Sequence, residues 1–189
     1  MRCEILELSW DLTYFSSKGD DLKLNIGCGN KKIEGYHGVD KFECDAADYI
    51  CDLENEKLPF KDNTITGVIL DNVIEHFYDI PKVVNELLRV SQKGTHIKII
   101  TPHFSSLSSW IDPTHIHHLS YFSFDHFEKD SASHYIGKGI KIKQIKLSFG
   151  GGFMGLIARF IFKISPKKYE QKYCFIFRAS TLTFDIEVL

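Results

Sequence analysis

Hydrophobic and polar residues follow one another in patterns that predict most of the secondary structure. Short apolar runs bounded by turn residues indicate buried strands, and apolar residues three or four positions apart indicate a helix with one inward face. We predict strands over 22–26, 36–40, 46–52, 65–70 and 96–101, a helix over 80–90 whose region ends at Lys93-Gly94, and a helix start over 123–127.

The C-terminal third contains three further patterned segments. Isoleucine alternates with lysine over 140–147 and slips once at Gln144, which predicts a strand with a bulge. We interpret these lysines as a solvated face, with phosphate binding as the alternative. After three glycines, residues 153–164 predict a very apolar helix, and the alternation over 182–188 predicts a final strand.

Two segments leave alternatives open. Apolar and polar positions alternate over 6–14, which favours a short strand or an extended arm within residues 1–20, with a helix as the alternative. The apolar helix over 153–164 packs on the domain, forms a subunit interface or makes peripheral contact with a membrane. The membrane alternative rests on four flanking cations, Arg159, Lys163, Lys167 and Lys168.

Composition limits the classes of protein to be considered. A chain of 189 residues is enough for one domain with a single core. Its 43% hydrophobic and 25% charged residues are typical of a soluble globular protein, and its net charge of −2 gives no bulk attraction to nucleic acid. No apolar run approaches the ~20 residues that cross a bilayer. Five cysteines without a CxxC pair, and no signal peptide, predict free thiols and a cytoplasmic location.

Glycine and aspartate residues follow the ends of successive predicted strands. Gly27 and Gly29 come directly after the first strand, where a backbone without Cβ can take positive φ values and lie against a ligand. Asp40, Asp52 and Asp71 end three further apolar runs. Because ligands bind at the carboxyl ends of the strands in an open α/β sheet, these residues predict one ligand site.

The connection between the first two predicted strands is unusually short. Parallel strands normally need a dozen or more residues between them, usually with a helix. We therefore expect the first helix to be lost or cut to about one turn. The site does not fit a nicotinamide dinucleotide, because the third glycine of Gly-x-Gly-x-x-Gly would fall on Lys32.

Four motifs, in this order, resemble those of the class I S-adenosylmethionine (SAM)-dependent methyltransferases. They are LNIGCGN, GVDKF, CDLENEKLPFKDNTITGVILDNVIEHF and LLRVSQKGTHIKIITP, and the resemblance covers about 22–127. It implies SAM as cofactor and an α/β, Rossmann-like three-layer sandwich with a mostly parallel seven-stranded sheet whose last strand is antiparallel. It also implies one domain over 1–189, in which 102–135 is a lid over the acceptor site and 150–168 an insertion between the last strands.

The resemblance also assigns the strand ends to parts of the cofactor. It places Asp40 on the ribose hydroxyls, Asp52 on the adenine amine and Leu53 on the adenine ring. A turn or N-cap is the alternative role for Asp52. The predicted cofactor-binding residues are Asn25, Gly27, Cys28, Gly29, Asp40, Asp52, Leu53, Asp71 and Asn72.

A later segment carries the prediction of the acceptor. Asp112-Pro113-Thr114-His115, followed by Ser-x-x-x-Phe, resembles methyltransferases of bacterial surface-polysaccharide biosynthesis. This implies transfer to a hydroxyl, less readily an amine, of a sugar or sugar-nucleotide. Histidine suits a general base at neutral pH because its unperturbed pKa is ~6.5. The candidate bases are His103, His115 and His76, with a structural role as the alternative for His76.

Other functions remain as alternatives. His115, His117 and Asp112 could hold a divalent cation if their segment is extended, but histidines hydrogen-bonded in a polar lid are favoured and no metal is predicted. The acceptor could be another small metabolite, and the chain could be a SAM-binding partner subunit without catalysis. RNA methylation is disfavoured by the near-neutral charge. Association into a homo-oligomer is left open.

Overall fold

The computed structural model describes residues 4–5, 21–128 and 139–189. The arm or strand predicted from the alternation over 6–14 lies outside these residues, and so does the end of the predicted lid. Within the described residues, no helix is both long enough and apolar enough to pass through a bilayer.

One sheet of eight strands organises the fold. The strands stand in the order β1-β4-β3-β2-β5-β6-β8-β7. Strands β2 to β6 are parallel to one another, whereas β8 is antiparallel to both of its neighbours and β1 is antiparallel to β4. The strands are β1 (Glu4–Ile5), β2 (Lys23–Ile26), β3 (His37–Asp40), β4 (Tyr49–Ile50), β5 (Ile65–Asp71), β6 (Ser91–Pro102), β7 (Ile140–Phe149) and β8 (Ala179–Val188).

This topology confirms the predicted fold class. The seven strands β2 to β8 form the mostly parallel sheet with an antiparallel last strand, and β1 adds two residues at one edge. The bulge predicted in β7 is present, as a register shift between Ile142 and Gln144 opposite β8. The third predicted strand is shorter than expected, because the chain at Ala47 is still in a turn that its N–H closes onto Cys44 O.

The connections that join β2, β3, β4 and β5 in turn carry no helix. The connection over 27–36 joins β2 to β3 through turns alone, as its length predicted. It can do so because β3 pairs directly beside β2, and Gly27 N–H donates to Val39 O at 2.7 Å as soon as β2 ends. The strand ends therefore meet at one edge with little chain between them.

Helices lie mainly in the second half of the chain. The helices are α1 (Ile80–Val90), α2 (Ser108–Ile111), α3 (Gly152–Ile164) and α4 (Pro166–Lys168); single 3₁₀ turns occupy Ile74–His76 and Asp125–Phe127, and a π-helical turn occupies Tyr169–Tyr173.

Helix α1 forms where its apolar spacing predicted it. Asp79 caps it by accepting the Lys82 N–H at 2.9 Å, and its inward face buries Val83 and Leu87 against the sheet. The helix ends at Val90 and β6 begins at once, so the predicted end at Lys93-Gly94 was wrong. The backbone of Ser91 is already extended, and this residue pairs with Ile65 of β5.

The core lies between this helix and the sheet. Leu24, Leu70 and Ile99, from the three central strands, are fully buried, and Phe184 of β8 joins them. A smaller apolar cluster around Tyr169 packs beneath α3. Burial of this kind fixes the register of each strand, because a shift by one residue would turn its apolar side chains to the wrong face.

Candidate active site

A tight turn at the end of β2 forms the first part of the site. Gly27 and Gly29 have φ values of +64° and +49°, which residues with a Cβ rarely adopt. A Cβ on Gly27 would lie 2.4 Å from Val73 Cγ2, so packing alone requires glycine there. A Cβ on Gly29 would meet nothing within 4 Å. Gly29 therefore faces open space that a ligand can fill.

Asp40, at the end of β3, is held in place by this turn. Its Oδ2 accepts the Gly29 N–H at 2.9 Å and its Oδ1 accepts the Phe42 N–H at 3.0 Å. Each carboxylate oxygen can accept more than one hydrogen bond. Asp40 is thus oriented by the backbone and keeps acceptor capacity for ligand hydroxyls.

Asp71, at the end of β5, lies across the turn from β2. Its Oδ1 accepts from Asn72 Nδ2 at 2.9 Å, and its Oδ2 forms an ion pair with Lys31 Nζ. The buried Asn25 supports the same turn by donating to Lys31 O at 3.0 Å. Lys31 was not among the predicted residues. Only its position just after the glycines could have indicated it.

The chain after β4 contains the residues predicted to contact adenine. Asp52 accepts the Glu54 N–H at 3.1 Å and a hydrogen bond from Asn55 Nδ2 at 2.7 Å. These bonds give Asp52 the turn role that the sequence offered as its alternative. Leu53 is buried within the main core.

Cys28 is buried between the two glycines. Burial and the neighbouring Cys44 raise the pKa of the Cys28 thiol to about 12, so it stays protonated at neutral pH. Ligand atoms of Cys28, Cys44 and Asp40 lie within 4.8 Å of one another, close enough to hold a metal ion. Cys28 packs with Ala46, Ala47 and Cys44 in a small apolar cluster, and the Asp40 carboxylate is engaged by two backbone N–H groups, which together favour a packing role for the two thiols.

The second part of the site forms where residues 112–118 dock on the 3₁₀ turn after β5. Glu75 O accepts the Ile116 N–H at 2.9 Å and the His117 N–H at 3.1 Å. This docking places the His115 ring against the His76 ring, with centroids 4.6 Å apart at an angle of 71°. Two of the predicted candidate bases are therefore neighbours.

The hydrogen bonds of His115 leave one of its ring nitrogens free. Its Nδ1–H donates to Ser109 O at 3.1 Å, which leaves the lone pair on Nε2. Nε2 lies 3.9 Å from Glu75 Oε1 and 3.9 Å from Asp112 Oδ2, beyond hydrogen-bond distance. Nε2 can therefore accept a proton from a bound molecule.

His76 has the same arrangement. Its Nδ1 lies 3.2 Å from Thr114 O and 3.0 Å from Thr114 Oγ1. That hydroxyl donates to Asp112 Oδ1 at 2.6 Å, so the ring nitrogen must be the donor to both oxygens. The lone pair of His76 is again on Nε2.

Glu75 is the residue that sequence reasoning missed. Its side chain is buried (the residue is 1% exposed), and neither carboxylate oxygen has a hydrogen-bond partner within the described residues. Burial raises the pKa of Glu75, an effect that the nearby Thr101 hydroxyl, His76 and His115 partly offset. The sequence drew attention to Glu75 only as the neighbour of His76, because nothing local showed that it would be buried.

The residues that could hold a metal ion differ from the set that the sequence suggested. Glu75, His76 and His115 have ligand atoms within 4.8 Å of one another and could hold a metal ion. His117 does not join them, because its Nε2 contacts Tyr78 O at 3.2 Å. The set of Asp112, His115 and His117 is therefore not assembled.

His103, a first-choice base in the sequence, has a different environment. It is fully buried, and its Nδ1 accepts the Ser105 N–H at 3.1 Å. Its Nε2–H then donates to Glu170 Oε1 at 3.0 Å. Both ring nitrogens are occupied and none reaches solvent, which is the environment of a structural histidine. The sequence could not reveal this, because Glu170 is 67 positions away.

Comparison with known proteins shows what part of the chain and its fold are similar to. Residues 37–99 match the family model of a methyltransferase domain. A search of curated proteins found no match. Among solved structures, a SAM-dependent methyltransferase from Archaeoglobus fulgidus aligns over 93% of this chain and 89% of its own, with a TM-score of 0.59 and 19% identity.

Two further solved structures have the same fold. Phosphoethanolamine N-methyltransferase 2 from Haemonchus contortus, in complex with SAM, aligns over 94% of this chain and 50% of its own, with a TM-score of 0.53 and 14% identity. The cyclase SpnF aligns over 90% of this chain and 75% of its own, with a TM-score of 0.55 and 13% identity. At such identities these likenesses establish the fold, which serves more than one reaction.

Proposed function

We propose that this chain transfers the methyl group of SAM to a hydroxyl of a sugar or sugar-nucleotide. Two findings support the methyl transfer: residues 37–99 match the model of a methyltransferase domain, and the fold is that of a solved SAM-dependent methyltransferase. An amine of such a molecule is the less favoured acceptor. The observation that carries the proposal is the free Nε2 of His115, beside His76 and Glu75 in the 3₁₀ turn after β5. Within the described residues the Glu75 carboxylate has no hydrogen-bond partner. The sugar acceptor rests on the resemblance of the Asp112–His115 segment.

SAM fits the strand-end edge of the sheet. Gly29 leaves the open space that a close-lying ligand needs, and Asp40 retains acceptor capacity next to it. We assign the ribose hydroxyls of SAM to Asp40. We assign its methionine end to Asp71 and Lys31, because the negative charge of Asp71 suits the ammonium of that end and the positive charge of Lys31 suits its carboxylate. Bound there, SAM supplies an electrophilic methyl group on a sulfonium.

His115 is the base in this proposal. A hydroxyl becomes a better nucleophile as it loses its proton, and a positioned base contributes ~10²- to 10⁴-fold to the rate. His115 Nε2 accepts this proton, while the Nδ1–H bond to Ser109 O fixes its tautomer. His76, with its own free Nε2, is the alternative base. His103 is not retained, because both its ring nitrogens are engaged.

Glu75 acts as a positioning residue behind His115. Its Oε1 lies 3.9 Å from His115 Nε2, and its carboxylate has no competing partner within the described residues. A negative charge at that distance in a buried site favours the protonated imidazole that forms during the reaction. The described residues of the predicted lid, 102–128, would exclude water from this step.

A calorimetric titration with SAM, followed by an acceptor screen, tests the proposal. We expect saturable one-to-one binding of SAM and, with a panel of nucleotide-sugars, a product heavier by one methyl group in mass spectrometry. Absence of binding by the folded protein would contradict the cofactor assignment. SAM binding with turnover only on non-sugar metabolites would overturn the acceptor, and binding without any turnover would indicate a non-catalytic partner subunit.

A further inference from the structure

Helix α3 presents an apolar face to solvent. Phe153, Leu156, Phe160 and Ile164 stand at helical spacing on one side, and all four are exposed, with Phe160 at 67% and Phe153 at 73%. A surface helix normally turns its polar face outward. The outward face of α3, defined by these four residues, is therefore the reverse of what an isolated soluble domain requires.

The opposite side of α3 is already packed. Gly155 and Ala158 are buried, and the Phe162 ring contacts Tyr121, Phe149 and Tyr169 at centroid distances of 5.2–5.7 Å. The helix is thus anchored to the domain through this inward side. Its outward face cannot be buried by rotating the helix without losing these contacts.

Cations flank this outward face. Arg159, Lys163, Lys167 and Lys168 are exposed, and none of them forms an ion pair with a described residue. The sequence from 139 to 169 contains seven Lys or Arg and no Asp or Glu, in a chain whose net charge is −2. Three of the seven lie on β7, where Lys143 pairs with Glu187. The other four are the cations without an ion pair among the described residues, and they lie on or directly after α3.

We propose that the outward face of α3 binds an anionic lipid membrane. In this arrangement the four apolar side chains enter the interface between headgroups and acyl chains, and the flanking cations contact lipid phosphates. Long lysine and arginine stems can place their charges at the headgroups while the helix lies in the interface plane. The inference goes beyond the proposed reaction and does not depend on the acceptor.

Charge argues for a membrane rather than a second copy of the chain. A symmetric dimer through this face would apply the same patch to itself. Arg159 and Lys163 of one copy would then approach those of the other, without an acidic residue in 139–169 to neutralise them. An anionic lipid surface satisfies the apolar side chains and the cations together.

Residues 175–176 add a second exposed apolar group near this region. Phe175 and Ile176 are exposed, and the Phe175 ring contacts Phe104 at a centroid distance of 5.6 Å. Phe104 O in turn accepts from the indole of Trp110, a residue of α2 that is also exposed. These contacts link the second group to α2, whose Ser109 O holds the candidate base His115.

Vesicle flotation with the full chain tests the inference. We compare vesicles of phosphatidylcholine alone with vesicles that also contain phosphatidylglycerol, and expect binding to the anionic vesicles that weakens as salt is added. Phe160→Ser should weaken binding at least about tenfold, because the variant lacks the large apolar ring that would be transferred from water into the membrane. Lys163→Gln should weaken it about fivefold.

A matched control removes an equally exposed ring elsewhere. Phe42 is also 67% exposed but follows β3, so Phe42→Ser should leave vesicle binding unchanged. SAM calorimetry on Phe160→Ser checks that this variant is folded. Failure to bind either vesicle, equal binding to both, or an equal loss with Phe42→Ser would overturn the inference. So would a dimer in light scattering that Phe160→Ser abolishes while vesicle binding is absent, because the face would then belong to a second copy.

Discussion

The strand-end edge of the sheet and the region around α3 present different groups to solvent. At the edge, Asp40 is oriented by backbone N–H groups, and the open space beside Gly29 is left by a backbone conformation. Around α3, what faces solvent is a set of large apolar side chains on a helix already anchored from behind. The first region is built for a small polar molecule, the second for an extended apolar and anionic surface.

The cluster of Glu75, His76 and His115 differs from both of these surfaces. Unlike Asp40, its carboxylate is buried without a hydrogen-bond partner within the described part of the chain. The comparison predicts separable effects. Changes at the edge should alter SAM binding, whereas changes in the cluster should alter turnover.

The largest effect is expected from His115→Ala. Loss of the base should lower kcat by ~10²- to 10⁴-fold and leave the Kd for SAM nearly unchanged, because His115 contacts Ser109 and His76 and none of the residues assigned to SAM. Steady-state kinetics and calorimetry measure the two quantities. His117→Ala is the control, since its Nε2 contacts a backbone carbonyl and a much smaller loss is expected. A comparable loss in both variants would contradict the assignment.

Gly27→Ala should destabilise the glycine turn at the strand-end edge. The new Cβ would meet Val73 at 2.4 Å in a backbone conformation with positive φ, and we expect the free energy of unfolding to fall by about 2–5 kcal/mol. Gly35→Ala has a positive φ of 77° but open space around its Cβ, so a loss of about 1–2 kcal/mol is expected. Denaturant titrations measure the free energy of unfolding of both variants. Equal losses would show that the Val73 side chain moves aside to make room for the new Cβ.

Asp40→Ala should weaken SAM binding by about one to two orders of magnitude, because a hydrogen bond with a charged partner contributes ~1.5–3 kcal/mol. Calorimetry measures the Kd. Asp45→Ala, an exposed position in the following loop, should leave it unchanged. If SAM binds to Asp40→Ala as it does to the unaltered chain, the ribose assignment fails.

The smallest effect concerns Glu75 and pH. Because burial raises the pKa of Glu75, the folded state holds its proton more tightly than the unfolded chain, and stability falls as pH rises from the ordinary value near 4.5 through the raised pKa. Glu75→Gln should remove this slope, which is at most ~1.4 kcal/mol per pH unit. It should also change the pH dependence of kcat, which a purely structural glutamate would not do.

Unfolding curves measured between pH 4 and 8 for Glu75→Gln, with Glu34→Gln as control, check the stability effect. Glu34 is exposed, so its variant should follow the unaltered chain. If the free energy of unfolding of Glu75→Gln also changes with pH as that of the unaltered chain does, ionisation of Glu75 does not destabilise the folded state.

Much of the fold could be predicted from local pattern. The β2, β3 and β5 strands, helix α1, the bulge in β7 and the helix-free first crossover all follow from apolar spacing, turn residues and connection length. The glycine turn and Asp40 could be predicted as well, since strand ends in a parallel sheet meet at one edge. The end of α1 was misjudged because Ser91 pairs with Ile65, a contact outside the local pattern.

The sequence by itself determined the sheet and the edge where the strands end, because backbone sterics and apolar periodicity act over a few residues. Only the tertiary structure decided which histidine is free. His103 and His115 look equally suited in the sequence, but Glu170 occupies one ring, whereas the docking of residues 112–118 on Glu75 leaves the Nε2 of the other open. Such differences arise from burial and from partners far apart in the chain, and no local pattern encodes them.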